Sequence, residues 1–92
     1  MKIIGKKALY DFKKDHPDAT SQIDSWEAEV TEAKWTTPWL IKRRYGTASF
    51  LSDNRVVFNI KGNKYRLLVQ IDYKNGIVLV KKAGTHEEYM KW

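Results

Sequence analysis

Apolar and polar residues alternate most regularly between Arg55 and Asp72. Arg55-Val-Val-Phe-Asn-Ile-Lys61 and Lys64-Tyr-Arg-Leu-Leu-Val-Gln-Ile-Asp72 are two runs rich in β-branched and aromatic residues, separated by Gly62-Asn63. That pattern predicts a β-hairpin, and glycine first in the loop suits a type II′ turn. Counting outward sets Lys61 opposite Lys64, Ile60 opposite Tyr65, Asn59 opposite Arg66, Phe58 opposite Leu67, Val57 opposite Leu68 and Val56 opposite Val69. Side chains alternate between faces with period two. Val56, Phe58, Ile60, Tyr65, Leu67, Val69 and Ile71 therefore make a core face. Arg55, Asn59, Lys61, Lys64, Arg66 and Gln70 share the other, with Val57 and Leu68 among them. Like charges set opposite each other, as Lys61 and Lys64 are, cost stability. A pair kept there calls for an anion.

The rest of the chain organises around this hairpin. Met1-Lys2-Ile3-Ile4-Gly5 reads as a short first strand. From Lys6 to Asp15, Ala8, Leu9 and Phe12 fall at helical spacing, which predicts an amphipathic helix. His16-Pro17-Asp18 stops it, because a residue before proline avoids the helical region. Asp18 is placed to cap a second helix, whose apolar stripe is Ile23, Trp26, Val30 and Ala33. The two helices predict an antiparallel pair, apolar within and acidic outside. Thr37 and Pro38 suit the cap and first position of a short helix to about Arg44. Ala48 to Ser52 reads as a strand and Asp53-Asn54 as a turn. Asn75-Gly76 predicts a second two-residue hairpin loop, pairing Tyr73 with Val78, Ile71 with Val80, Gln70 with Lys81 and Arg66 with Thr85. The last strand is expected from Ile77 to about Lys82. Strict alternation turns His86 inward, so His86 stays near Arg66 only if that strand has ended by Gly84. Thr85 and Glu88 form a capping-box pattern, and one helical turn brings Tyr89 near His86. The order predicts an α+β fold, its N-terminal strand and helical pair packed on one face of a mainly antiparallel sheet. The other face is left for solvent or ligand.

Composition narrows the function. Ninety-two residues make one domain, 1–92. The chain has no cysteine, which removes disulfides and thiolate metal sites. No apolar run approaches the roughly 20 residues of a membrane span, and the N-terminus is too short in apolar residues for a signal peptide; a cytoplasmic protein without a membrane partner is the expectation. Net charge is +6, and it is uneven. Residues 1–36 hold six lysines and seven acids, residues 37–92 eleven Lys/Arg and four acids. The second half is the part that suits a polyanion, nucleic acid first among them.

Asn59, Lys61, Lys64, Arg66, His86 and Tyr89 converge in this register. Three cations, an amide, an imidazole and a phenol suit a phosphodiester. Cations neutralise the charge that grows on a five-coordinate phosphate. A base takes the proton from the attacking hydroxyl and an acid protonates the leaving oxygen. In RNA the nucleophile is the ribose 2′-OH, so no metal or other cofactor is required. Arg66 is the natural phosphate clamp, and His86 is the residue type that can serve as acid or base. Taken singly, each residue has a plainer reading: Arg66 and Lys64 solvating an open sheet face, His86 capping a terminal turn, Tyr89 latching the C-terminus. Lys42-Arg43-Arg44 reads as a solvated or RNA-contacting edge, and Arg55 as a further cation of the polar face. His16 is assigned to a turn. No carboxylate joins the set, no serine is oriented for a triad, and no glycine-rich phosphate loop is present.

The stretch Asn54 to Val69, N-R-V-V-F-N-I-K-G-N-K-Y-R-L-L-V, and the ending Gly84-Thr-His-Glu-Glu-Tyr89 resemble the HigB toxins of bacterial toxin–antitoxin pairs. The opening I-I-G-K-K-A-L-x-x-F and the W-x-T-P segment at Trp35 to Pro38 are similar as well. The resemblance implies a RelE-like α+β fold and an endoribonuclease that cuts mRNA on the ribosome. It also implies a HigA-like helix-turn-helix antitoxin, with DNA reached only through that partner. Carried over by position, Lys61, Lys64, Arg66, His86 and Tyr89 are its functional residues, with Asn59 and Arg55 beside them. A non-catalytic RNA- or ribosome-binding module is the rival reading. A DNA-binding protein is disfavoured, since the basic half has no helix-turn-helix pattern.

Overall fold

A computed structural model describes residues 1–92. In chain order it contains β1 (Lys2–Ile4), α1 (Lys6–Asp15), a 3₁₀ turn (Pro17–Ala19), α2 (Thr20–Glu32), α3 (Pro38–Arg44), β2 (Ser49–Leu51), β3 (Arg55–Ile60), β4 (Tyr65–Asp72), β5 (Ile77–Thr85) and α4 (His86–Tyr89). The strands form one open sheet in the order β1-β5-β4-β3-β2. Only β1 runs parallel to its neighbour. The fold is α+β and compatible with the RelE-like architecture that the resemblance implies.

The central hairpin keeps the expected register from Val56↔Val69 to Ile60↔Tyr65, with Asn59 opposite Arg66. All seven residues of its expected core face lie in the main hydrophobic cluster, with Leu9 and Phe12 of α1, Ile23, Trp26 and Val30 of α2, and Ile41 of α3. Phe58 sits among three aromatics, edge-on to Trp26 at 5.5 Å and Tyr45 at 5.1 Å and stacked on Trp35 at 6.1 Å. At the hairpin tip the Lys64 N–H bonds the Lys61 carbonyl at 3.2 Å, and Gly62 takes φ 65°. Lys61 itself takes φ 55°, a left-handed conformation that costs a non-glycine residue roughly 1–2 kcal/mol. Its N–H donates to Gln22 Oε1 of α2, which offsets that cost and docks the tip against the helices.

Several local expectations are corrected. Asp18 does not cap α2: a 3₁₀ turn intervenes, Ala19 holds the cap position, and no side chain caps that end. Asp18 is drawn instead to the hairpin tip. Thr37 does precede α3, but its side chain makes no capping bond. The second hairpin is longer than Asn75-Gly76 predicts. Asp72 pairs with Ile77, leaving Tyr73 to Gly76 as a four-residue loop. The Asp72 carboxylate accepts from the Asn75 backbone N–H at 3.0 Å and its side-chain amide at 2.8 Å, a side-chain turn that competes with the tighter loop.

The register beyond that loop also differs. Gln70 faces Leu79 and Ile71 faces Val78, rather than Lys81 and Val80; after Val69↔Val80 the next pair is Leu68↔Lys82. Lys81 is thus an unmatched residue, a β-bulge. Arg66 therefore faces Gly84, and Tyr65 faces Thr85. β5 does not end by Gly84 but runs to Thr85. Partners across an antiparallel ladder share a face, so Gly84 lies on the Arg66 face, Thr85 on the other, and His86 returns to the Arg66 face. The bulge does what an early strand end was expected to do.

The face away from the helices is less open than its polar residues suggest. Val57 and Leu68 are buried there, in a groove shared with Leu51, Arg55 and the C-terminal Tyr89, Met90 and Trp92. The expected capping box at Thr85 and Glu88 is present in both directions. Gly84 permits the close seating of α4, because a Cβ there would meet Trp92 at 2.9 Å and Glu88 Cβ at 3.2 Å.

Candidate functional site

Arg66 is the one buried charged residue, 7% exposed. Such a group has to be paired or hydrogen-bonded. Its Nη1 donates to the carbonyls of Asn63 at 2.9 Å and Tyr65 at 3.2 Å. Its Nη2 lies 3.2 Å from His86 Nδ1. The guanidinium carbon sits 5.3 Å from the centre of the Tyr89 ring, within cation–π range. The His86 and Tyr89 rings are 6.4 Å apart. His86 is pinned from its backbone too, through its N–H to the Lys64 carbonyl at 3.0 Å. Bulge, capping box and hairpin tip together bring Arg66, His86 and Tyr89 into one cluster.

Beside that cluster opens a cleft of about 520 Å³, lined by His16, Lys64, Tyr65, Thr85, His86 and Glu87. A hollow of about 570 Å³ elsewhere is lined by residues including Asp53, Asp72 and Lys74, with no imidazole; its chemistry is poorer. No group of three or more His, Cys, Asp or Glu is placed to hold a metal ion.

Two members of the cleft region lay outside the expected set. His16, assigned by sequence to a turn, lines the cleft with its ring 4.4 Å from Phe12 and 5.0 Å from Tyr65. Asp18 is a carboxylate where none was expected. It accepts from Lys64 Nζ at 2.7 Å and from the Tyr65 hydroxyl at 2.7 Å, with Lys61 Nζ 3.6 Å away. The anion that the Lys61/Lys64 pair calls for is thus first supplied by the chain itself. Bonds from Lys64, then Tyr65, hold the Asp18 carboxyl far below the usual carboxylate range. The same contact with Asp18 raises Lys64 and Tyr65. The like-charge pair at the tip was the sequence signal for Asp18; nothing local pointed to His16.

The remaining candidates do not join the cleft. Asn59 lies opposite Arg66 in the ladder but lines a separate hollow beside Gln22, Glu29 and Arg44. Arg55 donates to the Ser52 carbonyl at 3.0 Å and lines the apolar groove. Lys42 bonds the Gly46 and Ala48 carbonyls at 2.6 and 3.1 Å, closing the end of α3. Arg44 pairs with Glu29, which also accepts the Tyr45 hydroxyl at 2.6 Å. Arg43 is exposed on α3.

Fold and cleft together define a small α+β protein with a cleft lined by two histidines and a lysine where its central hairpin, helix-to-helix turn and last helical turn meet. Residues 19–92 match the HigB toxin family, the RelE-like toxic component of a toxin–antitoxin system, and the chain belongs to that family. It is by that membership the toxin of such a pair, and an antitoxin is its implied partner. Comparison with individual curated proteins gives no match. No helix is long and apolar enough to cross a membrane.

Proposed function

We propose that the chain is a metal-independent endoribonuclease that cleaves mRNA engaged by the ribosome, through attack of the ribose 2′-OH on the adjacent phosphate. The observation that carries this reading is the 3.2 Å contact of Arg66 with His86, at the edge of a cleft that His86 and Lys64 both line. A guanidinium fork suits phosphate oxygens, and stabilising the negative charge that develops on the equatorial oxygens is the largest contribution such a site can make. In this reading Arg66, with Lys61 and Lys64, holds the scissile phosphate. Proton transfer and orientation are shared among His86, Tyr89 and Lys64. Asn59, Arg55, Lys42, Arg43 and Arg44 contribute phosphate contacts away from the reacting atoms. The substrate's own hydroxyl is the nucleophile, so the step requires no metal and no cofactor. The antitoxin is read as HigA-like, with a helix-turn-helix domain through which the pair meets DNA, and the site of action as the cytoplasm.

Mapping RNA ends in a reconstituted translation reaction tests this. Cleavage should leave a 2′,3′-cyclic phosphate and a 5′-hydroxyl, and a 2′-deoxy nucleotide at the scissile position should abolish it. Intact mRNA under those conditions would overturn the reading.

A further inference from the structure

The hold on His86 decides which of its nitrogens can take a proton. Its Nδ1 lies 3.2 Å from Arg66 Nη2. A guanidinium has only donors, so Arg66 donates and Nδ1 accepts. With that lone pair engaged, the neutral ring carries its hydrogen on Nε2. His86 in this state offers an N–H to a phosphate oxygen; it does not offer a vacant lone pair to an attacking hydroxyl. Some other group in the cleft has to accept the proton.

His16 has the required properties. It lines the cleft with His86 but comes from the turn between α1 and α2. Packing against Phe12 and Tyr65 orients its ring. Neither ring nitrogen bonds to the protein, and the one buried side-chain polar atom lacking a partner is Trp26 Nε1, so the His16 nitrogens are open to solvent. In an in-line displacement the entering and leaving oxygens stand on opposite sides of phosphorus. His16 and His86 come from different elements that meet at this one cleft.

We propose that His16 is the general base of the cleft, taking the proton from the ribose 2′-OH while His86 donates through Nε2 to a non-bridging phosphate oxygen. The proposal rests on the endoribonuclease reading above. The 2′-OH proton passes to His16, the O2′–P bond forms and the P–O5′ bond breaks. The leaving 5′-oxygen takes a proton from the Lys64 ammonium. His16 then returns its proton to Lys64 through solvent, and nothing is oxidised or reduced. Facing His16 are Lys64 of the hairpin tip, Tyr65 of β4 and His86, Glu87 and Glu88 from the end of the chain, with Asp15 and Asp18 on its own turn.

The test is the pH dependence of cleavage of ribosome-bound mRNA. Wild type should show an acidic limb, because the base works only when neutral. His16→Phe keeps an aromatic ring between Phe12 and Tyr65 but has no nitrogen; it should lose about 10²–10⁴-fold in rate and lose the acidic limb. His86→Gln should slow cleavage and keep that limb. Added imidazole should restore part of the activity of His16→Ala. If wild type cleaves and His16→Phe keeps both its rate and its acidic limb, His16 is not the base. Nitrogen-15 spectra of the free protein give a check that does not depend on activity. They should show His86 protonated at Nε2 alone, and a hydrogen on Nδ1 would overturn the assignment. Failure of wild type to cleave would sink the endoribonuclease reading itself, a different result from either.

Discussion

The carboxylate of Asp18 lies 2.7 Å from the ammonium of Lys64, although 46 residues of chain separate them. The contact fastens the hairpin tip to the helix-to-helix turn and occupies a cation that a phosphate would use. On the endoribonuclease reading proposed above, Asp18 competes with RNA for Lys64.

Its removal has a readable consequence. Asp18→Asn should tighten binding of a short single-stranded RNA several-fold and steepen its salt dependence, since freed lysines release more counterions on binding. Fluorescence anisotropy across a salt series measures both. Unchanged affinity would mean that Lys64 does not meet the RNA.

The same pair predicts a pH profile for stability. The folded-state pKa of Asp18 is depressed, chiefly by the bond from Lys64. Its contribution is therefore fully present above the unfolded carboxylate value of about 3.9 and is lost as pH falls through the lower folded value. The stability gap between wild type and Asp18→Asn should stay constant from neutral pH to about pH 5 and close only in stronger acid. Urea titrations at several pH values would show it.

Arg66→Ala should abolish cleavage while leaving most ribosome affinity, because the other cations remain. The loss in rate should be at least about 10²-fold, as for removal of one strong transition-state donor. Stability should fall by about 1–3 kcal/mol, as the Asn63 and Tyr65 carbonyls lose their donor. Arg66→Lys should restore little activity, lacking the planar fork. A variant that still cuts at the wild-type rate would remove Arg66 from the site.

Deleting Lys81 removes only the unmatched residue, so Leu68↔Lys82 and Arg66↔Gly84 keep their pairing, His86 should stay beside Arg66, and cleavage should persist. Inserting an alanine after Lys82 shifts every later residue of β5 to the opposite face, and cleavage should be lost while the circular dichroism spectrum stays native. Full activity of the insertion would show that the register of β5 does not place His86.

Phe58→Ala removes the ring at the centre of the aromatic cluster and should cost about 3–5 kcal/mol, much of a small domain's total. Phe58→Leu should cost far less. Denaturant midpoints separate the two.

What the sequence made legible follows from the range of each signal. The hairpin register, its core face and the Thr85–Glu88 capping box are set by neighbours a few residues apart, where periodicity and turn chemistry act directly. The bulge at Lys81 was illegible because the adjacent pair Lys81-Lys82, which breaks the alternation, reads equally well as the end of the strand at about Lys82. The four-residue loop at Tyr73 was missed because the Asp72 side chain, three positions before Asn75, outcompeted the Asn-Gly preference. His16 and Asp18 join the cleft through contacts spanning more than 40 residues, and a His-Pro-Asp triplet announces only that a helix stops. The meeting of Arg66 with His86 was anticipated on a strand ending that is wrong; the geometry is restored by a bulge that could not be seen.

One further consequence comes from α4. It buries no residue of its own, and what seats it is a capping box, one backbone bond to Lys64, the contacts of Arg66 with His86 and Tyr89, and the bare Cα of Gly84. So light an attachment frays long before a packed core does. Warming should therefore loosen His86 and Tyr89 from Arg66 at a temperature where the sheet is still whole.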